Sequence, residues 1–236
     1  MNPAAAIDLP CLLKRLHLPT IARLLPDIEA RAAAEDWTIH DALAILCAEE
    51  IANRSNTRIQ KAVRQARFPF LKTIEDFDFS FNPKIPAAHI RDLAALRFLD
   101  AGESVILHGP VGVGKTHIAQ ALGQEACRQG YETLFVNTHK MLAHVNAGRA
   151  DNTVDKRVAG YVRPDLLILD DFGLRALAPP GPEDLYEIIN ERDEKGSILL
   201  TSNRSPEEWP ALFGDPLLAS AGLDRLADRA EMVVIR

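Results

Sequence analysis

At 236 residues, 47% of them hydrophobic and 25% charged, the chain is long enough to bury one sizeable core beside a small appended domain. Its three cysteines, Cys11, Cys47 and Cys127, are odd in number and widely spaced, which speaks against a disulfide framework or a zinc site, and without a signal-like N-terminus or a run of about eighteen apolar residues a cytoplasmic protein is expected. The net charge of −6 speaks against a generally basic nucleic-acid binder, so any grip on phosphate backbone must come from a local cluster.

In chain order, Leu9, Leu12, Leu13 and Leu16 recur at helical spacing, and Thr38 or Asp41 is placed to cap a longer helix through Leu43, Leu46 and Ile51. Pro10, Pro19 and Pro26 are expected to break this region into short pieces. From Ile51 to Lys72 the chain carries Arg54, Arg58, Lys61, Arg64, Arg67 and Lys72 without a single Asp or Glu. Arg54, Arg58 and Lys61 share one helix face, which Arg64 and Arg67 extend. Such a run is either a solvated face balanced by acids elsewhere or a surface for phosphate backbone, and spacing alone favours the first. Phe68, Phe70, Phe77, Phe79 and Phe81, interspersed with Pro69, Pro83 and Pro86, read as an irregular linker packed on a neighbouring surface. A boundary near Phe70 then separates a helical domain, residues 1–69, from a second domain, residues 70–236.

After Pro86 helices alternate with short apolar strands, the pattern of a parallel sheet covered on both faces. Strands are predicted at 104–108, 133–136, 166–170, 197–202 and 232–235, and the clearest helices at 115–129 and 182–194. Between the first strand and its helix lies Gly109-Pro110-Val111-Gly112-Val113-Gly114-Lys115-Thr116, a full match to the phosphate-loop pattern. The glycines let successive N–H groups turn toward an anion, the helix N-terminus adds positive potential, Lys115 reaches terminal phosphates and Thr116 is a magnesium ligand. This points to a nucleoside triphosphate, ATP, held with Mg2+. His117 is counted with the loop as a candidate nucleotide contact, although a packed or capping histidine is the default there; His139 and His144 carry no assignment. Phe77, Phe79 and His89 are candidates to border an adenine ring, with core packing the default.

The strand Leu166-Leu167-Ile168-Leu169 ends in Asp170 and Asp171. Asp170 is expected to hold the metal and Asp171 to polarise a water, because ligands of open parallel sheets bind at the carboxyl ends of the strands. The next strand ends at Asn203, which either orients that water and the terminal phosphate or makes an Asx turn capping the helix that starts near Pro206.

With these motifs in place, the sequence resembles the IstB-like transposition helper ATPases, AAA+ proteins related to the helicase loader DnaC. The resemblance spans nearly the whole chain. It rests on Leu16-His17-Leu18-Pro19, Ala66-Arg67-Phe68-Pro69, Phe77-Asp78-Phe79, Gly114-Lys115-Thr116-His117 with Ala119 and Ala121-Leu122-Gly123, Asp170-Asp171-Phe172-Gly173, Thr201-Ser202-Asn203, Glu208-Trp209, Phe213-Gly214-Asp215 and Leu223-Asp224-Arg225-Leu226. It implies an AAA+ three-layer α/β sandwich with a five-stranded parallel sheet behind a small all-helical domain. It also implies an ATP-dependent helper that assembles into an oligomer on duplex DNA and assists an insertion-sequence transposase. By the same resemblance Lys115, Asp171 and Asn203 carry over as catalytic residues and Arg225 as an arginine finger for a neighbouring subunit. Without it, Arg225 reads as a salt-bridge partner of Asp224 or Asp228. The resemblance moves the basic run toward DNA.

Two departures stand out. The second acidic position holds Asp171 where many AAA+ proteins have Glu. The chain also stops at Arg236, directly after the last strand, so the C-terminal lid segment is read as absent or truncated. Competing readings are a helicase loader that binds a helicase and single strands, and a small-molecule kinase using the same loop.

Overall fold

The computed structural model describes residues 8–213 and 216–236, so Gly214 and Asp215 of the quoted motif lie outside the described residues. The chain divides into two compact units, Met1–Lys61 and Ala62–Arg236, and the expected boundary near residue 70 falls inside the second.

The first unit holds α1 (Leu9–Arg15), α2 (Pro19–Glu35) and most of α3 (Ile39–Gln65). Pro10 and Pro19 sit in the first turns of α1 and α2, where a missing N–H costs no intrahelical bond. Pro26 does not break its helix as predicted. It lies inside α2 on the exposed side, where solvent serves the carbonyl that loses its partner. Thr38 and Asp41 together start α3: Thr38 N–H donates to the Asp41 carboxylate at 3.0 Å and Asp41 N–H to Thr38 Oγ1 at 3.2 Å. Leu13, Ile28 and Leu46 form the apolar interior. Beside them the buried Glu50 of α3 caps α2, accepting from Thr20 N–H at 2.9 Å and Ile21 N–H at 3.1 Å. Burial alone would raise the Glu50 carboxyl, but these bonds and one from Arg54 Nε at 3.0 Å outweigh it and hold the group below its usual range.

The second unit is a five-stranded parallel sheet of β1 (Ser104–His108), β2 (Thr133–Asn137), β3 (Leu166–Phe172), β4 (Ser197–Ser202) and β5 (Ala230–Val234), in the order β2-β3-β4-β1-β5. One face is covered by α4 (Ala87–Leu93), α5 (Arg97–Asp100), α6 (Lys115–Gln129) and the Phe-rich linker, through Ile90, Phe98, Ile118, Leu122 and Phe77. The other is covered by α7 (Thr138–Ala147), α8 (Val154–Val162), α9 (Gly181–Arg192), α10 (Pro210–Phe213) and α11 (Pro216–Asp228), through Met141, Val158, Leu185, Leu212 and Leu226. Burial on both faces explains why the central strands are near-continuous apolar runs. Of the linker aromatics, Phe77 is buried while Phe70 and Phe81 remain exposed. Among the described residues no helix is long and apolar enough to cross a membrane.

Predicted and observed strand bounds agree within two residues. β5 starts two residues earlier than predicted and ends one earlier, and β3 runs on for two residues through Asp171 and Phe172 by way of a bulge against β4 between Leu169 and Phe172.

Candidate active site

The phosphate loop leaves β1 between two strand ends. Gly109 N–H donates to the Ser202 carbonyl at 3.1 Å, and Ile235 N–H donates to the His108 carbonyl at 2.8 Å. A Cβ on Gly109 would lie 1.9 Å from the Ile235 carbonyl oxygen. The first glycine is therefore needed for close packing against the chain after β5, beyond its part in curling the loop. Gly112 and Gly114 adopt φ of 85° and 93°, and a Cβ on Gly114 would meet the Phe77 ring at 2.8 Å. A Gly109→Ala variant is expected to lose several kcal/mol, on the order of 2–4, because backbone rather than a flexible side chain must yield. An unchanged urea midpoint would refute that role.

The loop opens into a cleft of about 310 Å3 whose lining includes Gly112, Lys115, Thr116, His117, Asp171 and Asn203. Lys115 is buried, and its Nζ donates to the carbonyls of Gly109 at 2.8 Å and Pro110 at 2.6 Å. Burial pulls the ammonium below its ordinary range, opposed by the charges of Asp170 and Asp171. Thr116 Oγ1 donates to Asp170 Oδ1 at 2.8 Å, and Thr201 Oγ1 donates to the same oxygen at 2.6 Å. Burial raises the Asp170 carboxyl, and the two threonine hydroxyls partly offset it.

Asp171 follows in the left-handed region, φ 57°, a conformation that Asp tolerates better than most residues. Its N–H donates to Thr201 Oγ1 at 3.1 Å. Asn137 Nδ2, from the last residue of β2, donates to Asp171 Oδ2 at 2.9 Å. The bulge thus turns two consecutive carboxylates to one crevice, where a regular strand would send them to opposite faces. Asn203 also faces this cleft, and the turn at Pro206–Glu208 is capped by Ser205 with Glu208. The Asx-cap alternative for Asn203 is therefore filled by another residue. Trp209 fixes the end of β4: it is buried, packs edge-on against Phe172, and donates from Nε1 to Ser202 Oγ at 3.3 Å.

The structure thus brings residues 109–117, Asp170, Asp171 and Asn203 together. Arg225, on α11, lies instead beside Tyr186 and Asp193, its Nη1 donating to Tyr186 Oη at 2.9 Å and its Nε 3.8 Å from Asp193 Oδ2. That recess, with Gly102, Ser104 and Gly196, is at the opposite, amino-terminal ends of β1 and β4. Asp224 accepts from Ser220 Oγ at 3.1 Å. His117 packs edge-on against Phe77 and meets the Thr73 carbonyl at 3.2 Å, while His89 pairs with Glu231 on β5. Arg58, Lys61, Arg64 and Arg67 are exposed; Arg54 is held by Glu50 and the His17 carbonyl. Asn137 is not singled out in the sequence, and Thr201 stands there only as part of the Thr201-Ser202-Asn203 match, without a role. The rule that picked Asn203, a polar residue at the carboxyl end of a strand, also picks Asn137, which stands in register with Asp170.

A parallel sheet in this order, with the phosphate loop after β1 and the paired acids at the end of β3, defines a P-loop protein of the AAA+ class. The chain belongs to the IstB-like ATP-binding proteins, whose family profile matches residues 11–236. An insertion-sequence ATP-binding protein of Mycobacterium tuberculosis is 43% identical over 230 residues, covering 96% of this chain and 92% of the relative. The ATP-binding protein of insertion sequence IS5376 from Geobacillus stearothermophilus is 35% identical over 212 residues, covering 90% and 84%. Among solved structures, DnaI aligns with a TM-score of 0.61 at 20% identity, covering 75% of this chain and 94% of that one. The DnaC helicase loader aligns at 0.53 and 22%, covering 64% and 88%. At these identities the two structures establish the fold.

Proposed function

We propose that the protein is a magnesium-dependent ATPase of the cytoplasm that assembles with copies of itself on duplex DNA and assists the transposase of an insertion sequence. The observation that carries the ATPase reading is the convergence of Lys115, Thr116, Asp170, Asp171 and Asn203 on one crevice at the carboxyl ends of β1, β3 and β4. Lys115 supplies the charge for the terminal phosphates. Thr116 Oγ1 and Asp170, already 2.8 Å apart, are the hard oxygen donors that magnesium takes alongside phosphate oxygens and water. Among the described residues there is no cluster of three His, Cys, Asp or Glu that could hold a metal alone, which suits an ion arriving with its nucleotide. Bound magnesium supplies charge neutralisation at the phosphates. Asp171, held by Asn137, is the base that orients the attacking water, and Asn203 contacts the terminal phosphate.

Arg225 stands at the far end of its own sheet, so a finger role for it is one played on a neighbouring copy. The relatives named for insertion sequences support the transposition context, and the exposed Arg58, Lys61, Arg64 and Arg67 suit backbone contact that positions without reading bases. Arg54 contributes less, since Glu50 already neutralises it. The helicase-loader reading is favoured only by fold likeness.

The test is a gel shift of random-sequence duplex and single-stranded DNA, with and without ATP, at two salt concentrations. Binding to duplex that needs ATP and falls steeply with salt is expected. Arg58→Glu with Lys61→Glu should weaken it at least ~10-fold across all sequences and flatten the salt slope by about two charges. Lys115→Ala should abolish the ATP dependence. A preference for single strands would favour the loader, and an unchanged salt slope in the double variant would remove these residues from the DNA surface.

A further inference from the structure

A hollow of about 550 Å3 opens between α6, α4 and the linker segment 73–79. Among the described residues it shares no lining with the nucleotide cleft. Along α6 it begins at Ala121 and runs past Gln124, which stands roughly 12 Å along the axis from Thr116. Phe77 lines the hollow and His117 the cleft, and the two rings pack edge-on at 4.8 Å, so together they form the wall between. Small side chains make the space: Ala94 and Ala95 from α4 and Ala121 from α6, faced by Ile74 and Phe77.

Two bases and two acids also line it, Arg91, Arg128, Glu75 and Glu125, so the charges balance and the hollow does not suit a phosphate group. Glu125 is already held, by Arg128 Nη1 at 3.4 Å and Gln129 Nε2 at 3.1 Å. The Arg91 guanidinium lies over the Phe79 ring, 5.0 Å from its centroid, and a planar cation that stacks on one ring has a second face for another. What is left over is an acceptor. Gln124 Oε1 is buried and, among the described residues, has no hydrogen-bond partner, whereas Gln120 Oε1, one turn earlier, accepts from Phe70 N–H at 3.3 Å. Buried acceptors are paired as a rule, and a turn of the Gln124 amide about its soft last torsion presents the oxygen to the hollow that it lines.

We propose that this hollow receives a tryptophan side chain presented by a partner protein. The indole has an apolar body for the alanines, Ile74 and Phe77, and a ring face for the Arg91 guanidinium. It also has one N–H donor and no acceptor of its own, which is what Gln124 Oε1 lacks. An apolar pocket ringed by balanced charges is the form in which aromatic anchors are held at protein interfaces, with the charged rim keeping water from the centre. The site depends on neither the nucleotide nor the DNA reading.

The experiment is saturation-transfer NMR on the full chain with N-acetyl-tryptophanamide as the probe. A Kd on the order of 1 mM is expected for the isolated anchor. N-acetyl-phenylalaninamide, whose ring carries no donor, should bind at least ~5-fold more weakly. Gln124→Met should erase that difference by weakening the tryptophan probe alone. Ala95→Trp, at an exposed position, fills the hollow and should abolish binding of both probes. If it disturbs the melting curve, Arg91→Ala takes its place and should weaken the tryptophan probe at least ~3-fold. A wild type that binds neither probe, or a Gln124→Met variant that still discriminates, overturns the proposal. Displacement of the probe by adenosine would make the hollow part of the nucleotide site. Free L-tryptophan bound more than ~10-fold tighter than the blocked probe would make it a metabolite site instead. Either of these results also overturns the proposal.

Discussion

Replacing Arg192 by methionine is expected to cost about 3–5 kcal/mol of stability, more than removing most core side chains. Arg192 ends α9, is 1% exposed, and spends its guanidinium on backbone. Nη1 donates to the carbonyls of Tyr161 at 3.0 Å, Val162 at 2.8 Å and Pro164 at 2.7 Å, and Nη2 to those of Asp165 at 3.1 Å and Ser197 at 2.7 Å. One side chain thus ties the end of α8 and the start of β3 to the start of β4. Burial pushes the guanidinium down to about 10, which still leaves it charged at neutral pH, where charge-assisted bonds are the strong ones. Methionine matches the stem but leaves five carbonyls without that donor. Gly196 completes the fit, since a Cβ there would lie 2.8 Å from Nη2. In a chain of this size the melting temperature should fall by roughly 6–20 °C, with the nucleotide crevice at the opposite strand ends keeping its affinity at low temperature. A fall equivalent to less than about 1 kcal/mol would show that the carbonyls find water instead.

The parts of the fold legible in the sequence were those set by local chemistry. The run from Ser104 to Gln129 carries strand, glycine turn and helix in consecutive residues, and its bounds came out as predicted. Thr38 and Asp41 were each legible as caps, and they act as a reciprocal pair. What escaped depends on partners distant in the chain. The bulge that aims Asp171 is made against β4, thirty residues on. Asn137 and Thr201 gain their roles only because β2 and β4 flank β3, and neither strand's own residues announce its neighbour. In the sequence Gly109 is one of the glycines that let the loop curl toward an anion, while its tightest constraint is the Ile235 carbonyl more than a hundred residues later. Pro26 was misjudged for the converse reason: helix breaking is a statement about a lost backbone bond, and on an exposed face solvent replaces it.

The two carboxylates at the end of β3 should separate cleanly in function. Asp171→Asn is expected to keep the affinity for magnesium and ATP within a few-fold and to lower turnover by about 10²–10⁴, the usual worth of a positioned base. Asp170→Asn should instead lose the magnesium dependence of binding, because the amide supplies a weaker donor and no charge. The environment of Asp170 gives a pH signature that separates the two further. Its carboxyl is raised by burial, and the hydroxyls of Thr201 and Thr116 pull it part of the way back. In the proposed role it must be ionised to hold the cation, so magnesium-dependent affinity is expected to be full above its folded pKa and to be lost as pH falls through it. Thr201→Val removes the first of the two offsetting bonds and should move that loss to higher pH, with affinity at alkaline pH little changed. Nucleotide titrations from pH 5 to 9, in magnesium and in chelator, read this directly. Coincident curves for wild type and Thr201→Val would mean that Asp170 does not carry the ion, and the donor role would pass to Asp171, whose Asn137 contact would then hold a ligand rather than a base.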